Sequence, residues 1–306
     1  MNDAGIRRPP LTPRYWAGWL GVGLLWVLGK MPQSLALALS SPLAWLMART
    51  MGRRRRVAER NIERCFPELD GEQRARLVRG CFRSLARMLF EVAWSWSASE
   101  KFLRGISATE GLENLQEVLE AGRGVLLVTA HFTCLEIGGR LAALVFTGAG
   151  GMYRPLRSPV LEWYQNRGRS RYTACMIGKN DLRGAVRFLR SGGVLWYAPD
   201  QDFGAERSVF VPFFGLPTAT LVATERLVQL TGCAVVPMFP LYDAAARRYT
   251  VKFWPALEDF PTGDVTADLA RINALLEEHV RQAPAQYWWI HRRFKTRPPG
   301  EPPFYD

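Results

Sequence analysis

Val125-Leu126-Leu127-Val128-Thr129-Ala130-His131-Phe132-Thr133-Cys134-Leu135-Glu136 is the stretch on which the reading of this chain turns. Its first residues form a short, unbroken apolar run, the pattern of a strand buried on both faces. From Ile137 to Val145 the apolar residues take helical spacing. His131 therefore sits between a strand, Val125–Thr129, and a helix, where α/β proteins commonly present reactive groups. If both residues lay on one regular helix, five positions would turn Glu136 about 140° away from His131. The two side chains can meet only if His131 precedes the helix.

Outward from this junction the same alternation continues. Apolar strand candidates at Gly151–Tyr153, Val194–Ala198, Ala234–Phe239 and Tyr249–Phe253 are separated by helical stretches, which predicts an α/β fold with a mixed sheet flanked by helices. Between Val57 and Ser97 apolar residues recur at spacings of three and four, predicting two amphipathic helices broken near Pro67. Tyr15 to Gly29 carries no charge but is short of the roughly 20 apolar residues of a perpendicular membrane span. Met31 to Ala48 is also uncharged, and either extends a membrane contact or packs as an ordinary helix. The four arginines Arg53 to Arg56 follow directly, a cluster that stays on the cytoplasmic side and is drawn to anionic headgroups. The expected organisation is an N-terminal hydrophobic membrane anchor region, residues 1–48, and one α/β catalytic domain, residues 49–306. In that domain residues 49–110 form a helical cover and residues 111–306 the core.

Lysine and arginine outnumber aspartate and glutamate 40 to 28, for a net charge of +12, which calls for an anionic partner. Eleven tryptophans and the apolar N-terminal region favour lipid. Nucleic acid is not expected, because no zinc-finger spacing, RNP-like motif or recognition helix is present. Five scattered cysteines without a C-x-x-C pair fit neither a disulfide framework nor a zinc site, and point to a reducing compartment.

At His131 and Glu136 the chemistry suggested is a base and its orienter: a carboxylate on one imidazole nitrogen fixes the tautomer, and the other nitrogen accepts a proton from an alcohol. The plain alternative is a capping or core histidine beside an acid drawn to a helix N-terminus. Asp200 and Asp202 follow the strand Val194–Ala198, where they orient Arg154, bind a sugar hydroxyl or end the strand; Asp200 is taken as a site residue. Two acids with no histidine near them in sequence predict no metal. Phe210 to Phe214 either lines an apolar cleft or is core. Trp288 to Lys295 combines aromatics and cations suited to headgroups or to an acidic carrier, or else forms a charged face over buried aromatics.

Several ordered segments carry a resemblance: VTAHFTCLEIGGR from Val128, YRPLRSP from Tyr153, LWYAPDQDFG from Leu195, SVFVPFFGLPTATL from Ser208, VVPMFP from Val235 and APAQYWWIHRRFKTRPPGE from Ala283, with RRRRVAERNIERCFPEL from Arg53 before them. Together they resemble the late acyltransferases of lipid A biosynthesis, relatives of the glycerolipid acyltransferases, over nearly the whole chain. The segments around Trp196 and His291 are more similar to the lauroyltransferase branch than to the myristoyltransferase branch. The resemblance implies transfer of an acyl chain from acyl carrier protein to a 3-hydroxyacyl hydroxyl of Kdo2-lipid IVA, without a cofactor, at the cytoplasmic face of a bacterial inner membrane. It implies His131 as general base, Glu136 as its orienter and Arg154 in the active site. The rival expectations are a lysophospholipid acyltransferase, whose motif carries aspartate in place of Glu136, and a catalytically idle protein that binds anionic lipid.

Overall fold

The computed structural model describes residues 8–305. Four helices come first: α1 (Trp16–Leu28), α2 (Gln33–Thr50), α3 (Gly52–Cys65) and α4 (Gly71–Ser97). The break expected near Pro67 separates α3 from α4. There Asp70 and Gln73 form a reciprocal capping box that satisfies the first free N–H groups of α4. At 27 residues, α4 runs for about 40 Å and serves as the spine of the helical layer. It contacts α1, α2 and α3 along its length. Gly29, at the end of α1, lets the chain pass close to α4: a Cβ there would collide with Ser97 and approach the Ala93 carbonyl at 2.9 Å. The Trp94 indole, fully buried, donates to the Met31 carbonyl at 3.1 Å and fixes the turn into α2.

The expected anchor does not appear as a membrane-crossing helix. Among the described residues no helix is long and apolar enough to cross a membrane. With 13 residues α1 reaches about 20 Å, against a hydrocarbon core of about 30 Å. The second uncharged stretch forms α2, with Pro42 inside it and Ala36, Ser40 and Ala44 buried. Residues 1–7 of the expected anchor region lie outside the described residues. The outer faces of the two helices are nonetheless strongly apolar: Leu20, Leu24 and Val27 on α1 and Leu35, Leu39 and Leu46 on α2 are all exposed, Leu20 at 75%.

After α5 (Glu100–Gly105) the chain alternates: β1 (Ser107–Glu110), α6 (Leu112–Glu120), β2 (Val125–Val128), α7 (Leu135–Ala142), β3 (Ala149–Tyr153), α8 (Pro159–Arg169), β4 (Cys175–Gly178), α9 (Leu182–Arg190) and β5 (Val194–Tyr197). A hairpin, β6 (Ser208–Phe213) and β7 (Leu216–Leu221), precedes α10 (Ala223–Thr231), β8 (Ala234–Asp243), β9 (Arg248–Phe253) and α11 (Val265–Gln282). Seven strands form one sheet in the order β1-β9-β8-β2-β5-β3-β4. The pairings β2–β5, β2–β8, β3–β5, β3–β4 and β1–β9 are parallel, while β8–β9 is antiparallel. The sheet is therefore mixed, as expected, with β1, β4 and the hairpin as additions that the apolar pattern did not single out.

All four residues of β2 are buried, which is why it reads as a continuous apolar run rather than an alternating one. Its neighbours β5 and β8 supply partners on both edges. The aromatic run Phe210 to Phe214 is core rather than cleft: the Phe213 and Phe214 rings are buried, and Phe214 meets Phe66 and Trp289 at centroid distances of 5.0 and 5.7 Å.

Candidate active site

The register of two parallel strands builds the site. Val128 of β2 pairs with Tyr197 of β5, and three residues further along each strand stand His131 and Asp200. Equal offsets from a paired register bring the two side by side at the carboxyl ends of the sheet, where open α/β sheets form their ligand crevices. His131 Nδ1 lies 2.5 Å from Asp200 Oδ1, and the His131 backbone N–H donates to Asp200 Oδ2 at 2.9 Å. An ionised carboxylate only accepts, so Nδ1 carries the proton and Nε2 is left as the basic nitrogen. Asp200 is 3% exposed while the His131 side chain is 27% exposed and lines a cavity of about 990 Å³. Burial alone would raise the Asp200 pKa; the neighbouring imidazole, the two hydrogen bonds and the Arg293 charge outweigh it and hold it down at about 2.

Asp200 thus occupies the position expected of Glu136. The Glu136 carboxylate makes other bonds. Arg169, from the end of α8, donates to it through Nε at 2.9 Å and Nη2 at 2.5 Å. Trp96 Nε1, from the end of α4, donates at 2.6 Å, and the Tyr172 hydroxyl at 3.3 Å. Burial raises the Glu136 pKa, but Arg169 and these donors overcome it, so the carboxylate stays below its usual range. Arg169 is in turn held above the usual arginine range by Glu136, against the effect of its burial. The reason lies in the backbone: α7 begins only at Leu135, and Phe132 forms an isolated bridge with Tyr287, so residues 131–133 are held against the C-terminal segment before the helix starts. His131 does precede the helix, as the meeting required, but Glu136 faces α4 and α8.

Arg169, Trp96 and Tyr172 were not singled out from the sequence. They come from segments 33 to 40 residues away from Glu136, and no local spacing links them. Arg154 stands where expected in one respect: it lines the same cavity, exposed on its rim, with no ion pair among the described residues. Asp202, its side chain 1% exposed, makes no ion pair with Arg154 among the described residues. Its carboxylate accepts from the Thr296 backbone at 2.7 Å and the Thr296 hydroxyl at 2.8 Å, which ties the loop after β5 to the C-terminal segment.

That C-terminal segment is the floor beneath the reactive loop. Thr133 N donates to the Gln286 carbonyl at 2.7 Å and Trp288 N to the His131 carbonyl at 3.0 Å. Trp289, Arg293 and Phe294 are buried, with Arg293 donating to the Ala219 carbonyl at 2.6 Å. The reading of Trp288–Lys295 as an outward surface for headgroups or a carrier therefore gives way to a packed support. His291 lines the cavity, and its Nε2 accepts from Asp202 N at 3.3 Å; burial lowers its pKa to about 4 despite the pull of Asp200. Cys134 is a packing residue, fully buried, with its thiol pKa pushed up by burial.

The cavity itself has two characters. Deep inside, Leu127, Ala142, Phe146, Met152, Trp196 and Met238 give apolar walls. Arg154, Lys179, Arg207 and Arg226 also line it, and none has a carboxylate within 4 Å among the described residues. An apolar chain with an anionic head matches that division.

Comparison with known proteins agrees with this chemistry. Residues 6–296 match the family of bacterial lipid A biosynthesis acyltransferases. The chain is 37% identical over 296 residues to a lipid A biosynthesis lauroyltransferase of Escherichia coli (strain K12), covering 96% of both chains. It is 38% identical, over the same length and with the same coverage, to a lipid A biosynthesis palmitoleoyltransferase of that organism. To its lipid A biosynthesis myristoyltransferase the identity is 30% over 290 residues, covering 94% of this chain and 90% of the relative. The chain is an acyltransferase and belongs to the bacterial lipid A biosynthesis acyltransferases.

Proposed function

We propose that this acyltransferase moves a fatty acyl chain from acyl carrier protein to a 3-hydroxyacyl hydroxyl of Kdo2-lipid IVA, with His131 as general base and Asp200, rather than Glu136, as its orienter. The observation that carries the proposal is the Nδ1–carboxylate bond, which leaves Nε2 as a base in a cavity with apolar depth and basic lining. The acceptor oxygen gives its proton to Nε2 as it attacks the thioester carbon. The tetrahedral intermediate then collapses, the carbon–sulfur bond breaks, and the imidazolium returns the proton to the departing thiolate. An ester and a free carrier thiol result, and no nucleophile from the protein is consumed.

Glu136 then has a different task. It fixes the Arg169 guanidinium in a bidentate pair at the cavity wall, where the cation favours negative charge developing on the thioester oxygen or carried by the glycolipid. Arg154, Arg207 and Arg226 suit the phosphates of such an acceptor. The donor chain is of lauroyl or similar length, the chain named for one of the relatives above. We place the enzyme on the cytoplasmic face of the inner membrane, with the apolar outer faces of α1 and α2 lying in the interface rather than crossing it.

The test is acyl transfer from labelled lauroyl-carrier protein to Kdo2-lipid IVA in detergent, native chain against His131→Ala. Turnover by the native chain, lost in a folded variant, is the expected outcome. Transfer only to a lysophospholipid would assign a glycerolipid acceptor instead, and an active His131→Ala would remove the base from the mechanism.

A further inference from the structure

A second concavity, of about 910 Å³, lies between α2, α3 and α4 and shares no lining residue with the His131 cavity. Ala44, Val78 and Phe82, all buried, give it an apolar floor. Seven arginines line it against two glutamates, and those two are already engaged: Arg55 pairs with Glu59 at 2.8 Å and Arg60 with Glu63 at 3.1 Å. The remaining five, Arg49, Arg56, Arg74, Arg79 and Arg83, meet no carboxylate within 4 Å among the described residues. The Arg74 Nε–H is buried and has no acceptor among the described residues, although its Nη2 donates to the Pro67 carbonyl at 2.9 Å. Gathering like charges around one hollow is unfavourable until an anion joins them.

The groove also continues into the apolar outer face of α2. Trp45 is 58% exposed, lines the groove, and carries the Arg49 guanidinium over its ring at 4.2 Å. Leu46 stands exposed beside it. A phosphate among unpaired arginines, with hydrocarbon running along a floor that opens onto tryptophan and leucine, describes an anionic amphiphile. An acidic protein fits less well: it has no use for the apolar floor, and a carrier docked here faces a hollow that holds no part of the reacting cavity.

We infer that the α2–α3–α4 groove is a binding site for an anionic glycerophospholipid, separate from the acyl-transfer cavity. The inference rests on the interfacial placement of α1 and α2 proposed above. A lipid held here fixes which way the helical layer sits on the bilayer. Because α1 packs against both α4 and α8, and α8 brings Arg169 to the His131 cavity, that orientation is passed to the cavity as a rigid-body constraint.

The experiment uses the full chain in neutral detergent, supplied with equal amounts of phosphatidylglycerol and phosphatidylcholine, with retained lipid counted by native mass spectrometry. The native chain is expected to retain phosphatidylglycerol preferentially. The triple variant Arg56→Ala, Arg79→Ala, Arg83→Ala loses this by roughly 100-fold, about fivefold per arginine, whereas the corresponding three lysine substitutions keep most of it. Equal retention by the alanine variant overturns the assignment. So does displacement by inorganic phosphate at concentrations comparable to the lipid, which marks a plain anion site. Unchanged lipid retention with weakened binding of acyl-carrier protein would make the groove a protein dock. A separate variant, Leu20→Glu with Leu24→Glu, is floated on phosphatidylcholine vesicles. If it floats like the native chain the interfacial placement fails, while the detergent measurement still reads the groove on its own.

Discussion

Replacing Asp200 by asparagine keeps the size of the side chain but reverses what it offers His131. The carboxylate accepts two bonds, from Nδ1 at 2.5 Å and from the backbone N–H at 2.9 Å. An asparagine can keep the backbone bond only by turning its oxygen to that N–H, which points its NH2 group at Nδ1. Nδ1 must then act as acceptor, the ring proton moves to Nε2, and the base is gone from the side facing the cavity. In histidine–carboxylate dyads of hydrolases the wrong tautomer costs about 10⁴ in kcat, equivalent to roughly 5 kcal/mol of barrier. Glu136→Gln acts differently. It leaves Nε2 intact but removes the charge partner of Arg169 at a site where both side chains are less than a fifth exposed. Breaking such a pair costs about 3–5 kcal/mol, so this variant is expected to lose thermal stability together with activity. Single-turnover acyl transfer alongside thermal unfolding separates the two. Asp200→Asn should also lose stability, by about 2 kcal/mol from the depressed pKa it gives up, yet remain folded at the assay temperature with a single-turnover rate down by about 10³–10⁴. If folded Asp200→Asn stays within tenfold of native while folded Glu136→Gln falls by 10³, the orienter is Glu136 and the assignment of Asp200 is wrong.

Other expectations follow from the same geometry. The Asp200 pKa, about 2 in the fold against an ordinary value of 3.8, is depressed, so its ionisation stabilises the fold fully above pH 4 and that contribution is lost as pH falls toward 2. Chemical denaturation across this range should show a steeper fall for the native chain than for Asp200→Asn, and parallel curves would refute the pairing. His291, lowered from 6.5 to about 4, also has a depressed pKa, and protonating it opposes folding; stability should decline as pH drops from 6.5 to 4 by up to about 3 kcal/mol, and His291→Gln should flatten that slope. A Cβ at Gly139 would strike the Trp196 ring, and both residues line the His131 cavity, so Gly139→Ala should drive the indole inward and favour shorter donors. A tenfold or greater shift between lauroyl- and decanoyl-carrier protein is expected, and an unchanged ratio in the folded variant would place the chain elsewhere. Asn61, 1% exposed, donates to the Trp289 and His291 carbonyls and accepts from Tyr305; Asn61→Ala should cost about 2–4 kcal/mol, read as a lowered unfolding midpoint.

How far the sequence reached can be judged at particular residues. The buried run of β2 and the position of His131 at its end were legible, because burial on both faces leaves an unbroken apolar signature. Asp200 was marked as a site residue, but its partner was hidden, since the β2–β5 pairing joins segments 69 residues apart and parallel register leaves no local trace. The five-residue spacing suggested a dyad with Glu136, whose carboxylate instead bonds Arg169, Trp96 and Tyr172 from distant segments. Trp288–Lys295 reads either as an aromatic and cationic interface or as a charged face over buried aromatics, because local composition does not say which side chains turn inward. Only the tertiary contacts of Trp289 and Arg293 reveal a support. The uncharged N-terminal stretches were correctly seen as apolar, yet lack of charge does not distinguish a helix that spans a bilayer from two short ones with one face bare.

The strap that 286–288 lays across residues 131–133 also has a meaning in time. Chain synthesis proceeds from the N-terminus at about 5–20 residues per second, so about 8–30 s separate the appearance of Phe132 from that of Tyr287. Throughout that interval α1 and α2 have already emerged with their leucines bare, while the histidine loop has nothing beneath it. Loss of the last twenty residues would remove the Trp288 N–H from the His131 carbonyl and Thr296 from Asp202, so the histidine loop and the loop after β5 would lose a support that arrives only at the end of synthesis.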